Sequence, residues 1–158
     1  MMNEHNPISE KNLPKQWKLG FDIAKDARQR AYVPYSNFRV GFALHEKEGD
    51  TFIPGVNVEN ASYGATICAE RAALLSAISS RGLLDYDYGV LVTDADPPAV
   101  PCAECLQVLM ELCGPDFTLI ICSMTEPRMV LTMADLLPYS FVSIPPAPEQ
   151  AGNENSAE

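Results

Sequence analysis

Leu13, Trp17, Phe21, Ala24, Ala27 and Ala31 recur at the spacing of one helix face, which predicts a helix over residues 14–32. Pro34 ends it, because proline disfavours helical backbone at the residue before it, here Val33. The period then changes. In FRVGFAL, residues 38–44, Phe38, Val40, Phe42 and Leu44 alternate with Arg39, Gly41 and Ala43, the pattern of a half-buried strand. EKEGD supplies a turn, and TFIPGVNV reads as the partner strand. An Ala- and Leu-rich helix is expected over residues 67–80, followed by a buried strand at VLVT. PCAECLQVLMEL predicts a helix stopped by Gly114-Pro115. FTLIIC and RMVLTM are two further strands, and ADLLPYSF is a short terminal helix or turn. Helices fall between strands, so the simplest architecture is α/β, a mixed sheet covered by helices.

The 158 residues suit one domain, and 47% hydrophobic against 20% charged residues suit a packed core. The expected organisation is a flexible tail over 1–13, a domain over 14–144 and a Pro-rich, polar, disordered tail over 145–158. Eleven basic against 21 acidic side chains give a net charge of −10. That balance weighs against nucleic acid, which needs clustered Lys and Arg, and against an anionic membrane surface. The polar start MMNEHNPISEKNLPK has no apolar run of a signal peptide, and no stretch approaches the roughly 20 residues of a membrane span. A cytoplasmic protein is expected, in which five cysteines point to metal, catalysis or core packing rather than disulfides.

Two segments carry candidate chemistry: TICAERAAL at 66–74 and PCAECLQVL at 101–109. Both cysteine segments begin expected helices, with Thr66 as a plausible N-cap of the first and Pro101 just before the second. A helix N-terminus carries about half a positive charge and free N–H donors, which favour the thiolate that binds metal. Cys102 and Cys105 can grip one ion together, and Cys68 would be a third ligand. A structural zinc site closes with four protein ligands, whereas a catalytic one leaves a position for water. The well-placed ligands stop at three, and Glu70 stands ready as general acid and base for a zinc-bound water. Arg71 could offset the excess negative charge of the sulfurs. One difficulty is geometric: positions two apart on a helix differ by about 200°, so regular geometry does not aim Cys68 and Glu70 at one point.

With those residues in view, CAE at 68–70 and PCAEC at 101–105 resemble the signature of the zinc-dependent cytidine deaminases. VPYSNFRVGFAL and NVENASYGATICAERAAL extend the likeness to the small, homotetrameric, three-cysteine members, over about residues 17–141. The resemblance implies a three-layer α/β/α sandwich around a five-stranded mixed sheet, and one Zn2+ per chain held by Cys68, Cys102 and Cys105. It implies hydrolytic deamination of cytidine and deoxycytidine to uridine and deoxyuridine, with release of ammonia, as in pyrimidine salvage. Glu70 would protonate N3 of the ring and then carry a proton to the leaving amine. Phe38 would pack on the pyrimidine, Asn57 and Glu59 would hold the ribose hydroxyls, and the Ala69 backbone would meet the base edge. Tyr63 and Phe141 would reach into a neighbouring subunit's site, and Arg71 would hydrogen-bond the ligand sulfurs.

Blander explanations exist for several of these residues. Phe38 alternates with Val40 and Phe42, so core packing alone would account for it. Cys113 and Cys122 read as buried small apolar side chains, and His5 and His45 as surface residues. The chain also departs from the family's usual PCGxCRQ: Ala103 replaces glycine, Glu104 adds a negative charge, and Leu106 replaces arginine. Those changes keep open a deaminase of N4-substituted cytidine or of a blasticidin-type nucleoside. Two non-deaminase alternatives are a structural zinc module with Cys113 as fourth ligand and thiol redox chemistry through Cys102 and Cys105.

Overall fold

The structure, a computed structural model, describes residues 13–141 and 143. The expected tails fall outside these residues except at Leu13, which is buried against the same core as Trp17. Five strands form one sheet: β1 Gly41–Glu46, β2 Thr51–Val56, β3 Tyr86–Val92, β4 Thr118–Cys122 and β5 Pro127–Thr132, in the order β2-β1-β3-β4-β5. β1 is antiparallel to β2 and β3, β3 is parallel to β4, and β4 is antiparallel to β5. β2, β3 and β4 therefore run the same way. Four helices accompany the sheet: α1 Trp17–Ala27, α2 Ala69–Arg81, α3 Ala103–Cys113 and the single turn α4 Met133–Leu136.

Strand side chains alternate between two cores, as the period of two requires. Phe42, Leu44, Leu91, Leu119 and Ile121 face α2, α3 and α4, while Ala43, Val90, Val92, Ile120 and Cys122 face α1. The result is the expected three-layer α/β/α sandwich. It also corrects one expectation. Every residue of β1 is buried, so the alternation in FRVGFAL separates two cores rather than core from solvent. Fully enclosed Phe42, Leu44, Leu74, Leu109 and Ile121 each contribute roughly 1.5–3 kcal/mol of apolar burial.

The first helix is shorter than expected. It ends at Ala27, a 3-10 turn carries on to Arg30, and Ala31 takes extended backbone ahead of Val33 and Pro34. His45 is a second correction. It is buried, stacked on Tyr88 at 4.3 Å, with its ring nitrogens 2.6 Å from Asp87 and 3.1 Å from Asp50. A central strand between two helical layers leaves no surface for it, and the two carboxylates supply the polar partners that burial demands. No helix among the described residues is long and apolar enough to cross a membrane.

The topology aims two helix starts at one edge of the sheet. α2 begins beyond the carboxyl end of β2 and α3 beyond that of β3, and these strands are codirectional. Val58 and Ile67 exchange backbone hydrogen bonds of 2.9 and 3.0 Å, which folds residues 58–67 back and delivers Cys68 to the head of α2. Gly55 lets α2 lie directly on β2. A Cβ there would stand 2.1 Å from the Ala69 carbonyl oxygen and 2.6 Å from the Ala73 nitrogen. At its other end α3 stops at Gly114, where φ is +83°.

Candidate metal centre and active site

Cys68 and Cys102 are the N-cap residues of α2 and α3, with near-identical extended backbones: φ −72°, ψ 158° and φ −69°, ψ 163°. Thr66 is not the cap; it follows a 3-10 turn, and its carbonyl oxygen accepts a bond from Arg71 Nη2 at 3.2 Å. The two starts also share a sequence, Cys-Ala-Glu, at 68–70 and 102–104. The geometric difficulty between Cys68 and Glu70 disappears. Cys68 lies outside the helix, so the 200° rotation of regular helical positions does not apply to it.

The Sγ atoms of Cys68, Cys102 and Cys105 lie within 4.8 Å of one another, with Cys68 to Cys102 at 3.9 Å and Cys102 to Cys105 at 3.5 Å. Three sulfurs bound tetrahedrally at about 2.3 Å would stand about 3.8 Å apart, so the cluster fits zinc. Among the described residues no fourth His, Cys, Asp or Glu joins it. Cys113 ends α3, eleven residues beyond Cys102 and about 16 Å along the helix. Burial pushes its thiol up to about 12, and Cys122 likewise. A structural site closed by Cys113 is therefore ruled out. A simple dithiol redox pair does not account for Cys68 and Glu70 converging on the same place.

Glu70 is 4% exposed. Burial raises its carboxyl from 4.5 to about 7, and the charge of Cys68 adds to this, while hydrogen bonds from its own backbone and from Cys105 oppose it. A carboxyl poised near neutrality suits proton transfer in both directions. The Cys68 thiol is drawn down to about 5, first by the hydrogen bond from Cys105 and then by Arg71. Cys105, tied to Cys68 and fully buried, is shifted up. Arg71 Nη2 lies 3.7 Å from Cys68 Sγ, which puts the expected cation at the sulfurs. Leu106 stands in the core cluster with 8% exposure, so it brings no charge to the sulfurs.

The other expected residues fall into three groups. Glu59 and Tyr63, with Tyr35, Ser36 and Thr66, line a cavity of about 300 Å³; Thr66 is two residues from Cys68. Glu59 accepts bonds from the Tyr35 and Ser36 amides at 2.9 and 3.2 Å and from the Ser36 hydroxyl, which hold its carboxyl below the usual range. Asn57 and Phe38 form the second group. The Asn57 amide accepts from Val40 N at 2.9 Å and donates to Phe38 O at 2.8 Å, fixing the segment that presents Phe38. Phe38 is 37% exposed while Phe42 is enclosed, so Phe38 is outside the core that its alternation suggested. Phe141 stands apart, 62% exposed, with its carbonyl accepting a 2.6 Å bond from Gln107 Nε2. Ala69 is buried at the first turn of α2.

Sequence reasoning missed Tyr35 and Ser36, Gln107, and the ion pair of Arg71 with Glu104 at 3.2 Å. The turn chemistry of PYSN could have flagged Ser36. The other contacts join segments far apart in the chain, where spacing is silent.

Residues 15–121 match the family model described as the cytidine and deoxycytidylate deaminase zinc-binding region. The chain is 44% identical to the cytidine deaminase of Halalkalibacterium halodurans over 120 residues, 76% of this chain and 89% of the relative. It is 38% identical to the cytidine deaminase of Mycobacterium tuberculosis over 125 residues, 79% of this chain and 89% of the relative. The crystal structure of cytidine deaminase from Burkholderia pseudomallei superposes with a TM-score of 0.74 at 39% identity, covering 78% of this chain and 98% of that one. Matching fold, matching sequence and a zinc-ready trio of thiols at two helix starts agree: this chain belongs to the cytidine and deoxycytidylate deaminase zinc-binding family.

Proposed function

We propose that the protein is a zinc-dependent cytidine deaminase, hydrolysing cytidine and deoxycytidine to uridine and deoxyuridine with release of ammonia. The carrying observation is the meeting of three thiols, with no fourth ligand among the described residues, and the buried Glu70 carboxyl that pairs with Cys105. Cys68, Cys102 and Cys105 would hold the zinc, which when bound would act as a Lewis acid and lower the pKa of a water on it. Glu70 takes the proton of the attacking water, delivers it to N3, and hands a second proton to the amine leaving C4. Its position next to neutrality supports both transfers.

Phe38, exposed and anchored by Asn57, stacks on the pyrimidine, and the Ala69 backbone meets the base edge. Glu59 accepts from the ribose hydroxyls on the wall of the cavity, and Asn57 keeps one N–H beyond its bond to Phe38 for the same sugar. Tyr63 and Phe141 are 76% and 62% exposed, which supports a homotetramer whose neighbouring subunits receive them. Free thiols and acidic charge support a cytoplasmic place in pyrimidine salvage, with neither nucleic acid nor membrane as partner.

The test is turnover of cytidine, followed by the loss of absorbance as uridine forms, in wild type and Glu70→Gln, with zinc counted in both. Turnover lost in the variant while zinc stays near one per chain supports the reading. Zinc-loaded wild type that turns over neither cytidine nor deoxycytidine overturns it.

A further inference from the structure

Arg71 sits third in α2 after its Cys68 cap, where the helix dipole disfavours a cation. Its partners explain why it stays. The two hydrogens of Nη2 face three acceptors: Thr66 O at 3.2 Å, Cys68 Sγ at 3.7 Å and Glu104 Oε2 at 3.2 Å. The three acceptors compete for two hydrogens, and a carboxylate oxygen attracts a guanidinium hydrogen strongly. Arg71 Nε is buried without a partner, so the head group is not turned to saturate its own donors. Glu104 is second after the Cys102 cap of α3, a place the helix dipole favours for a carboxylate. Glu70 and Glu104 hold equivalent positions in the two Cys-Ala-Glu starts. One is buried at the metal centre; the other, with a side chain 75% exposed, crosses from α3 to α2.

We propose that Glu104 is a positioning residue of the metal centre: it draws Arg71 away from the ligand sulfurs and ties the head of α3 to that of α2. Both effects hold zinc more firmly. A thiolate relieved of part of its hydrogen bond is a stronger donor, and tied helix starts keep Cys68 and Cys102 at ligand spacing. Glu104 acts through Arg71, so its signature is in the metal–sulfur bond. The inference rests on the three sulfurs as zinc ligands and not on the identity of the substrate.

The test uses the full-length protein as wild type, Glu104→Gln and Glu104→Asp. Zinc release to a chromogenic chelator and the visible spectrum of the cobalt(II)-substituted protein are measured, with thermal unfolding as a control for folding. Glu104→Gln should release zinc about two- to fivefold faster at low salt, the range of an exposed ion pair, and the difference should shrink near 1 M salt. Its sulfur-to-cobalt charge-transfer band should move to higher energy as Arg71 turns back to Cys68, with Glu104→Asp between. A merely structural loss would leave that band in place. Identical bands and release rates in wild type and Glu104→Gln overturn the proposal while leaving the deaminase reading intact. A wild-type protein that takes up neither metal overturns both.

Discussion

Cys68 and Glu70 reach one site because they stand on opposite sides of a helix boundary. Cys68 is the extended cap of α2, whereas Glu70 is already in its first turn and 4% exposed. The cap turns a thiol toward Cys102 and Cys105, and the turn carries the carboxyl inward beside them. The same cap geometry recurs at Cys102, so two helix starts of like sequence build one metal centre.

That arrangement sorts the cysteines. Serine at position 68, 102 or 105 should each lower bound zinc well below one per chain, because a neutral hydroxyl is a poor substitute for a thiolate. Cys113→Ser should leave zinc in place, since Cys113 lies at the far end of α3. Metal analysis of the four purified variants decides it, and zinc loss in Cys113→Ser contradicts the assignment.

Burial of Glu70 should show in the pH dependence of the chelator-treated protein. The folded carboxyl holds its proton up to about 7, against 4.5 unfolded. Its stabilising contribution is thus complete below pH 4.5 and is lost as pH rises through 7, a change of up to about 3 kcal/mol. Glu70→Gln escapes that loss. The Tm of the variant relative to wild type should therefore climb between pH 4.5 and 8, and parallel Tm curves would show that the carboxyl titrates normally.

Gly55 is a packing constraint on the site. Gly55→Ala puts a methyl against the Ala69 carbonyl, next to the cap, and should cost about 1–3 kcal/mol as α2 is pushed off β2. Because Cys68 moves with that helix, zinc content should fall together with Tm. Unchanged values for both would mean that α2 has room the structure does not show.

Glu59 should matter for binding more than for chemistry. It lines the cavity, is held by Ser36 and Tyr35, and is no member of the thiol cluster. Glu59→Gln should raise KM for cytidine about ten- to hundredfold, as expected for lost charged hydrogen bonds, with a smaller change in kcat. A fall in kcat at constant KM would place Glu59 in the reaction itself.

By itself the sequence determined the order of elements, the two cysteine helices and the trio of cysteines placed to hold a metal. Those are carried by local spacing: period two against period three to four, and Cys-Ala-Glu beside Pro-Cys-Ala-Glu-Cys. Tertiary structure decided what local spacing does not encode. β1 reads as half-buried but is buried throughout, because α1 covers one face of the sheet and α2 and α3 cover the other. His45 reads as surface but is enclosed between Asp50 and Asp87, which come from a turn and from β3. Whether Cys68 and Glu70 could share a site depended on one backbone dihedral pair at a helix boundary, which no periodicity fixes. The bond between Arg71 and Glu104 spans 33 positions of sequence and exists only because codirectional strands bring two helix starts together.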